Sequence, residues 1–159
     1  MSTSSSELKW VDNHCHFEES DEVSLDLQEA AIEGVEKFIV VGTDLETSLK
    51  AKELSQIFPE KIFATAGIHP HEAIHGTHGI EALLSEGQIV AVGECGFDFY
   101  YDHSPHEEQE KAFREQITYA HKFNLPLVIH TREAWNETFK VLDEMEMPSK
   151  TVFHCFTGG

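Results

Sequence analysis

The strongest constraint in this chain is a set of short apolar runs that recur every 24 to 36 residues. The first runs from Trp10 into His14. The others cover residues 37–42, 61–67, 88–93, 126–130 and 150–154. They are apolar at successive positions rather than alternate ones. A strand that is apolar on both faces belongs to a parallel sheet covered by helices.

The intervening segments carry helical periodicity. In residues 22–34, Val23, Leu27, Ala30 and Ala31 share one face, and Gly34 suits a C-terminal cap. Thr43-Asp44 can cap a second helix in which Ala51, Leu54 and Phe58 align before Pro59 closes it. Residues 80–86 form a short helix. Ser104-Pro105-His106-Glu107 reads as a capping box, with Ser104 at N-cap and Pro105 at the first helical position. That helix runs to Phe123 and buries Phe113, Ile117 and Ala120. A last helix, 134–145, sets Trp135, Phe139 and Leu142 on one side.

A repeated strand-helix unit builds either an open doubly wound sheet or a (β/α) barrel. The open sheet gathers its ligand at one crevice. The barrel collects side chains from many strand ends on one face. Here the polar residues sit at strand end after strand end, which selects an α/β fold of the TIM-barrel type. A closed barrel needs eight strands and about 250 residues. This chain has 159 residues and six units, so the barrel is expected to be incomplete. Residues 1–8, mostly Ser, Thr and Glu, read as a flexible tail, and 9–159 as one domain.

The strand ends supply His14 and His16, then His69 and His71, then Glu94, His130 and His154. Residues two apart on a strand point to one face, so His14 and His16 project together. An isolated His-x-His faces solvent as readily as it binds a metal. Its recurrence with Glu94, His130 and His154 selects the metal site. Imidazoles and a carboxylate suit divalent ions such as magnesium, manganese or zinc. The two oxygens of Glu94 can bridge a pair. Paired ions activate water for phosphoryl or acyl hydrolysis. The expected arrangement puts His14 and His16 on one ion, Glu94 between, and His130 and His154 chiefly on the other.

Around this set, His69 sits at the mouth and can touch substrate. Arg132 can clamp a phosphate or pair with an acid. Asp98 and Asp102 can support the site or line its rim, and Phe99, Tyr100 and Tyr101 can stack on bases or pack on the barrel. His75, His78, His103, His106 and His121 read as solvated. Cys15, Cys95 and Cys155 each adjoin a ligand, so strand alternation turns them toward the helix layer as small buried residues.

The formal net charge of −18 argues against a broad basic footprint for nucleic acid, although a metal-filled cleft can still handle phosphates. There is no run of about 18 apolar residues and no apolar core in the N-terminal segment. This reads as a cytoplasmic protein without a membrane partner.

These motifs resemble the TatD family of metal-dependent deoxyribonucleases in the amidohydrolase superfamily. The resemblance rests on Val11-Asp-Asn-His-Cys-His16, Val41-Gly-Thr-Asp44, Gly67-Ile-His-Pro-His71, Val92-Gly-Glu-Cys-Gly-Phe-Asp98, Leu125-Pro-Leu-Val-Ile-His-Thr-Arg132 and Val152-Phe-His-Cys-Phe-Thr-Gly158. It implies a TIM-type barrel and two divalent metals held by His14, His16, Glu94, His130 and His154. It also implies 3′-to-5′ hydrolysis of phosphodiesters, with single-stranded DNA as substrate. The family pattern continues through two further strands, the last bearing an aspartate that no residue here matches. The expectation is therefore a C-terminally truncated enzyme whose first and sixth strands are open edges prone to self-association. Two alternatives within reach of the same residues are a hydrolase for a small ester, lactone or amide and a fragment that binds metal without turnover.

Overall fold

Six parallel strands pair strictly in chain order, β1-β2-β3-β4-β5-β6, in a computed structural model that describes residues 8–17 and 22–157. The strands are β1 (Trp10–Cys15), β2 (Val35–Val40), β3 (Ile62–Ala66), β4 (Ile89–Asp98), β5 (Leu127–Arg132) and β6 (Thr151–Phe153). Between them run α1 (Val23–Ile32), α2 (Leu45–Ile57), α3 (Ile80–Ser85), α4 (His106–Phe123) and α5 (Trp135–Met145). The sheet curls into a half-barrel with helices on its convex side, the incomplete (β/α) barrel expected from the strand spacing. Residues 1–7 of the expected tail lie outside the described residues. Among the described residues, no helix is long and apolar enough to cross a membrane.

The inner strands bury their helix-facing side. Phe38, Val40, Ile62, Ala64, Ile89, Leu127 and Ile129 are nearly inaccessible and pack with Phe113, Ile117, Leu83 and Leu142 of the helices. The concave face is open by contrast. Ile39, Val128 and Val152 border a cavity of about 420 Å³ there, and Val152 remains 50% exposed. The both-faces-apolar pattern thus has one face in use and one unfilled. Among the described residues, β1 and β6 each pair on one side only.

Local chemistry starts and stops the helices. Asp44 caps α2: its Oδ1 accepts from Thr47 N at 2.7 Å, and Thr47 Oγ1 accepts from Asp44 N at 3.0 Å. Such a reciprocal cap contributes about 1 kcal/mol. Gly34 follows the end of α1 at φ +85°, as a C-terminal glycine should.

The capping box expected at Ser104 does not form. Pro105, not Ser104, occupies the cap position of α4, and no side chain caps it. Ser104 is buried instead, donating to His71 O at 2.6 Å and accepting from Ile74 N at 3.1 Å. Those partners belong to a 3-10 segment, Pro70–His75, which carries no helical periodicity in its residues. A tertiary partner outcompetes the local cap. In α5 the buried residues are Thr138, Val141 and Leu142, whereas Phe139 is 45% exposed. Trp135 and Phe139 face Phe153 and Phe156 in an aromatic cluster beside the outer strand.

Candidate metal centre

Glu94 lies inside β4, four residues before the strand ends, and is 4% exposed. The neighbouring backbone is tight. A Cβ on Gly93 would collide with Val128 O, and one on Gly96 with His130 O. Glycine at both positions lets β5 approach closely enough to bring His130 against Glu94. The β4–β5 register shifts between Val92 and Cys95, where this approach occurs.

The two carboxylate oxygens face different histidines. Oε2 lies 3.4 Å from His14 Nε2, and Oε1 lies 3.2 Å from His130 Nδ1. Two triads result, each with ligand atoms within 4.8 Å of one another: His14, Glu94 and His154, and His69, Glu94 and His130. The rings of His14 and His154 stack at 3.5 Å between centroids. This grouping differs from the expected one. His14 meets His154 across the concave face, while His16 stands outside both triads, its ring centroid 5.2 Å from that of His14. β1 ends at Cys15, so His16 lies past the strand and is exposed. It still lines the same cleft, of about 620 Å³, as His14, Glu94, His130, Arg132 and His154.

Asp98 ties this centre to its surroundings. It is 1% exposed. Its Oδ2 lies 3.0 Å from both His130 Nε2 and His71 Nε2. Its Oδ1 accepts the backbone N–H groups of Tyr100 and Tyr101 at 3.0 Å each. A carboxylate on the far nitrogen of a histidine fixes its tautomer and orients the near nitrogen.

Two buried glutamines on α4, seven residues apart, hold the backbone at two of these points. Gln109 Oε1 accepts from Asp98 N at 2.9 Å, and its Nε2 donates to Asp98 O and Ser104 O. Gln116 Oε1 accepts from Ile68 N at 2.7 Å, and its Nε2 donates to Ile68 O at 3.0 Å. Both are fully buried. Sequence reading passed over them, although two glutamines on the same helix face as Phe113 and Ile117 were a visible signal.

The electrostatics follow from burial and pairing. Burial pushes the Glu94 carboxyl up, but hydrogen bonds to His130 and His14 outweigh it and hold the group well below the usual carboxylate range. Burial likewise works against charging His130, yet Glu94 and Asp98 on its two nitrogens raise its pKa. Burial and the neighbouring His130 bring His69 down to about 3, so His69 is neutral at pH 7. His69 Nδ1 accepts from His71 N at 3.2 Å, which leaves the proton of the neutral ring on Nε2.

The cysteines divide. Cys95 is fully buried, and burial drives its thiol well up. Cys15 is half-buried with its pKa pushed up to about 12, chiefly by burial. Cys155 corrects the expectation. It is exposed in a turn beyond β6 at φ 49°, because the strand stops at Phe153 and alternation no longer applies.

The chain that carries this buried carboxylate and these strand-end histidines is matched by a family model. The model described as TatD related DNase covers residues 11–159. The chain belongs to the TatD-related DNase family. Among curated TatD-type relatives, an uncharacterized metal-dependent hydrolase, YabD of Bacillus subtilis, is 36% identical over 156 residues, covering 92% of this chain and 60% of YabD. A 3′-5′ ssDNA/RNA exonuclease TatD of Musicola paradisiaca is 39% identical over 137 residues, covering 83% of this chain and 52% of its own. The chain therefore spans about half to three fifths of the length of the curated relatives it matches. Among solved structures, the TatD homolog YJJV of Escherichia coli superposes with a TM-score of 0.83 at 28% identity, over 94% of this chain and 61% of that one. A TatD family hydrolase of Entamoeba histolytica shares the fold, with a TM-score of 0.78 at 21% identity, over 94% of this chain and 59% of that one.

Proposed function

We propose that this TatD family member is a metal-dependent phosphodiesterase, a deoxyribonuclease that removes nucleotides 3′-to-5′ from single-stranded DNA. The observation that carries the reading is Glu94, whose two oxygens face His14 and His130 separately inside a histidine-lined cleft. That donor set fits divalent cations (Mg, Mn or Zn), which His14, His16, Glu94, His130 and His154 would hold, two ions drawing on Glu94 in common. Such ions would supply Lewis acidity toward the phosphodiester and an activated water.

The remaining roles belong to the chain. Glu94, kept ionised by its histidines, would contribute negative charge toward bound cations. His69 donates from Nε2 toward a phosphoryl oxygen. Its other nitrogen is engaged by His71 N, which suits it to substrate contact better than to metal ligation. Arg132, on the cleft wall, offers its guanidinium to a phosphate of the strand. An activity of this kind needs no broad basic surface, in keeping with a net charge of −18.

The test is nucleotide release from a single-stranded oligonucleotide with magnesium, manganese or zinc. Release that requires metal and disappears in Glu94→Ala supports the reading. Turnover confined to small carboxylic esters, lactones or amides across the three metals would assign the cleft to that chemistry instead. Metal binding without any turnover would leave a non-catalytic metal protein.

A further inference from the structure

The loop after β4 carries three consecutive aromatics, and the fold treats them differently. Phe99 is spent on packing, stacked on His106 at 3.7 Å between centroids. Tyr100 and Tyr101 are 53% and 51% exposed. The Arg132 guanidinium lies over both of them, its Cζ 4.1 Å from the Tyr100 ring centroid and 4.7 Å from that of Tyr101. Among the described residues Arg132 forms no ion pair, in a chain where acids outnumber bases 29 to 11. A cation held by π faces keeps its in-plane N–H donors free.

This cluster is built rather than loosely placed. Asp98 accepts both tyrosine amides, and Phe99 N donates to Arg132 O at 3.0 Å, so loop and strand end are tied together. The same Asp98 contacts His130, and Arg132 lines the cleft that holds Glu94. The platform is thus fixed relative to the candidate centre.

We infer that Tyr100, Tyr101 and Arg132 form a subsite for one nucleotide of a single strand, next to the bond that is cleaved. Arg132 takes the phosphate, and the open face of Tyr100 takes the base. The inference rests on the nuclease reading above and adds a base contact that gives its strand preference a physical cause. A base in a duplex is covered on both faces by its neighbours and has none to offer Tyr100. A splayed base in a single strand does, and such stacking tolerates any sequence.

The experiment measures equilibrium binding by fluorescence anisotropy in EDTA, so that no cleavage intervenes. The probes are a labelled single strand, the same strand with abasic sites, and the duplex. The unsubstituted protein should bind the base-bearing strand more tightly than either of the others. Tyr100→Ala should cut the preference for base-bearing over abasic strand about ten-fold, the scale of one stacked base, and Tyr100→Phe should keep it. Arg132→Gln should weaken both strands alike and lower the salt dependence by about one counterion. Equal affinity for the three probes, no binding at all, or an intact preference in Tyr100→Ala would overturn the subsite. Hydrolysis of bis(p-nitrophenyl) phosphate with manganese tests the phosphodiesterase reading separately. Turnover there without base preference fails the subsite alone, and base preference without turnover fails the nuclease reading alone.

Discussion

His130 Nε2 lies 3.0 Å from Asp98 Oδ2, while the other nitrogen of the same ring lies 3.2 Å from Glu94. One imidazole is therefore held between two buried carboxylates. Asp98 takes the far nitrogen and aims the near one at Glu94, an arrangement that would orient His130 toward a bound metal.

Asp98→Asn removes the charge that orients His130 while keeping the shape. Divalent metal affinity, measured by calorimetry, should fall about 10- to 100-fold. Circular dichroism should stay unchanged, since the backbone of residue 98 is still held by Gln109. Unaltered affinity would make Asp98 a loop tether only.

Gln116→Leu keeps the volume of a buried side chain but orphans Ile68 N–H and C=O. Each unpaired buried group costs about 1–3 kcal/mol, so urea unfolding should show a loss of at least ~2 kcal/mol. His69 is the next residue, so its NMR signals should move with the substitution. A stability within ~0.5 kcal/mol of the parent would mean that water replaces the amide.

The metal-free protein should lose stability as pH falls below 6.5. His69 is buried and neutral with its pKa lowered to about 3, so the unfolded chain takes up a proton before the folded one. The stability it contributes is present above 6.5, its ordinary value, and is lost on the way down to about 3. His130 works oppositely. Its raised pKa contributes stability at low pH that fades as pH rises through the folded value. Thermal melts from pH 7 to 4 should fall more steeply in the parent than in His69→Asn. Parallel curves would contradict the burial of a neutral His69.

The open edges bear on solution behaviour. Trp10 and Val11 on β1 are 57% and 54% exposed, and Val152 on β6 is 50% exposed. Unpaired strands flanking an apolar concave face template association. Light scattering of this 159-residue chain should show concentration-dependent oligomers, reduced by Val152→Lys. A monomer with sharp two-state melting would refute this.

Local sequence carried much of this protein. The α2 cap at Asp44 was legible because Asp44 and Thr47 need only each other. The strand repeat was legible because strands apolar on both faces read as continuous apolar runs, and β2, β3, β4 and β5 lie where those runs fall. The strand-end residues were legible as a set because a polar group ending an apolar strand is costly unless it has a partner. Sequence thus determined the repeat, the barrel type and the residues brought to one cleft.

Only the tertiary structure decided how those residues pair. His14 meets His154 rather than His16 because curvature brings the ends of β1 and β6 together, a relation between residues 140 positions apart. Ser104 was drawn from its helix to His71, and Gln109 and Gln116 reached across to Asp98 and Ile68, for the same reason. A polar side chain follows the partner that burial places beside it, and burial is set by packing that no local pattern encodes. The exposed tyrosines beside Arg132 belong here too. Whether an aromatic packs inward, as Phe99 does, or stands open on a loop is fixed by what the fold sets above it.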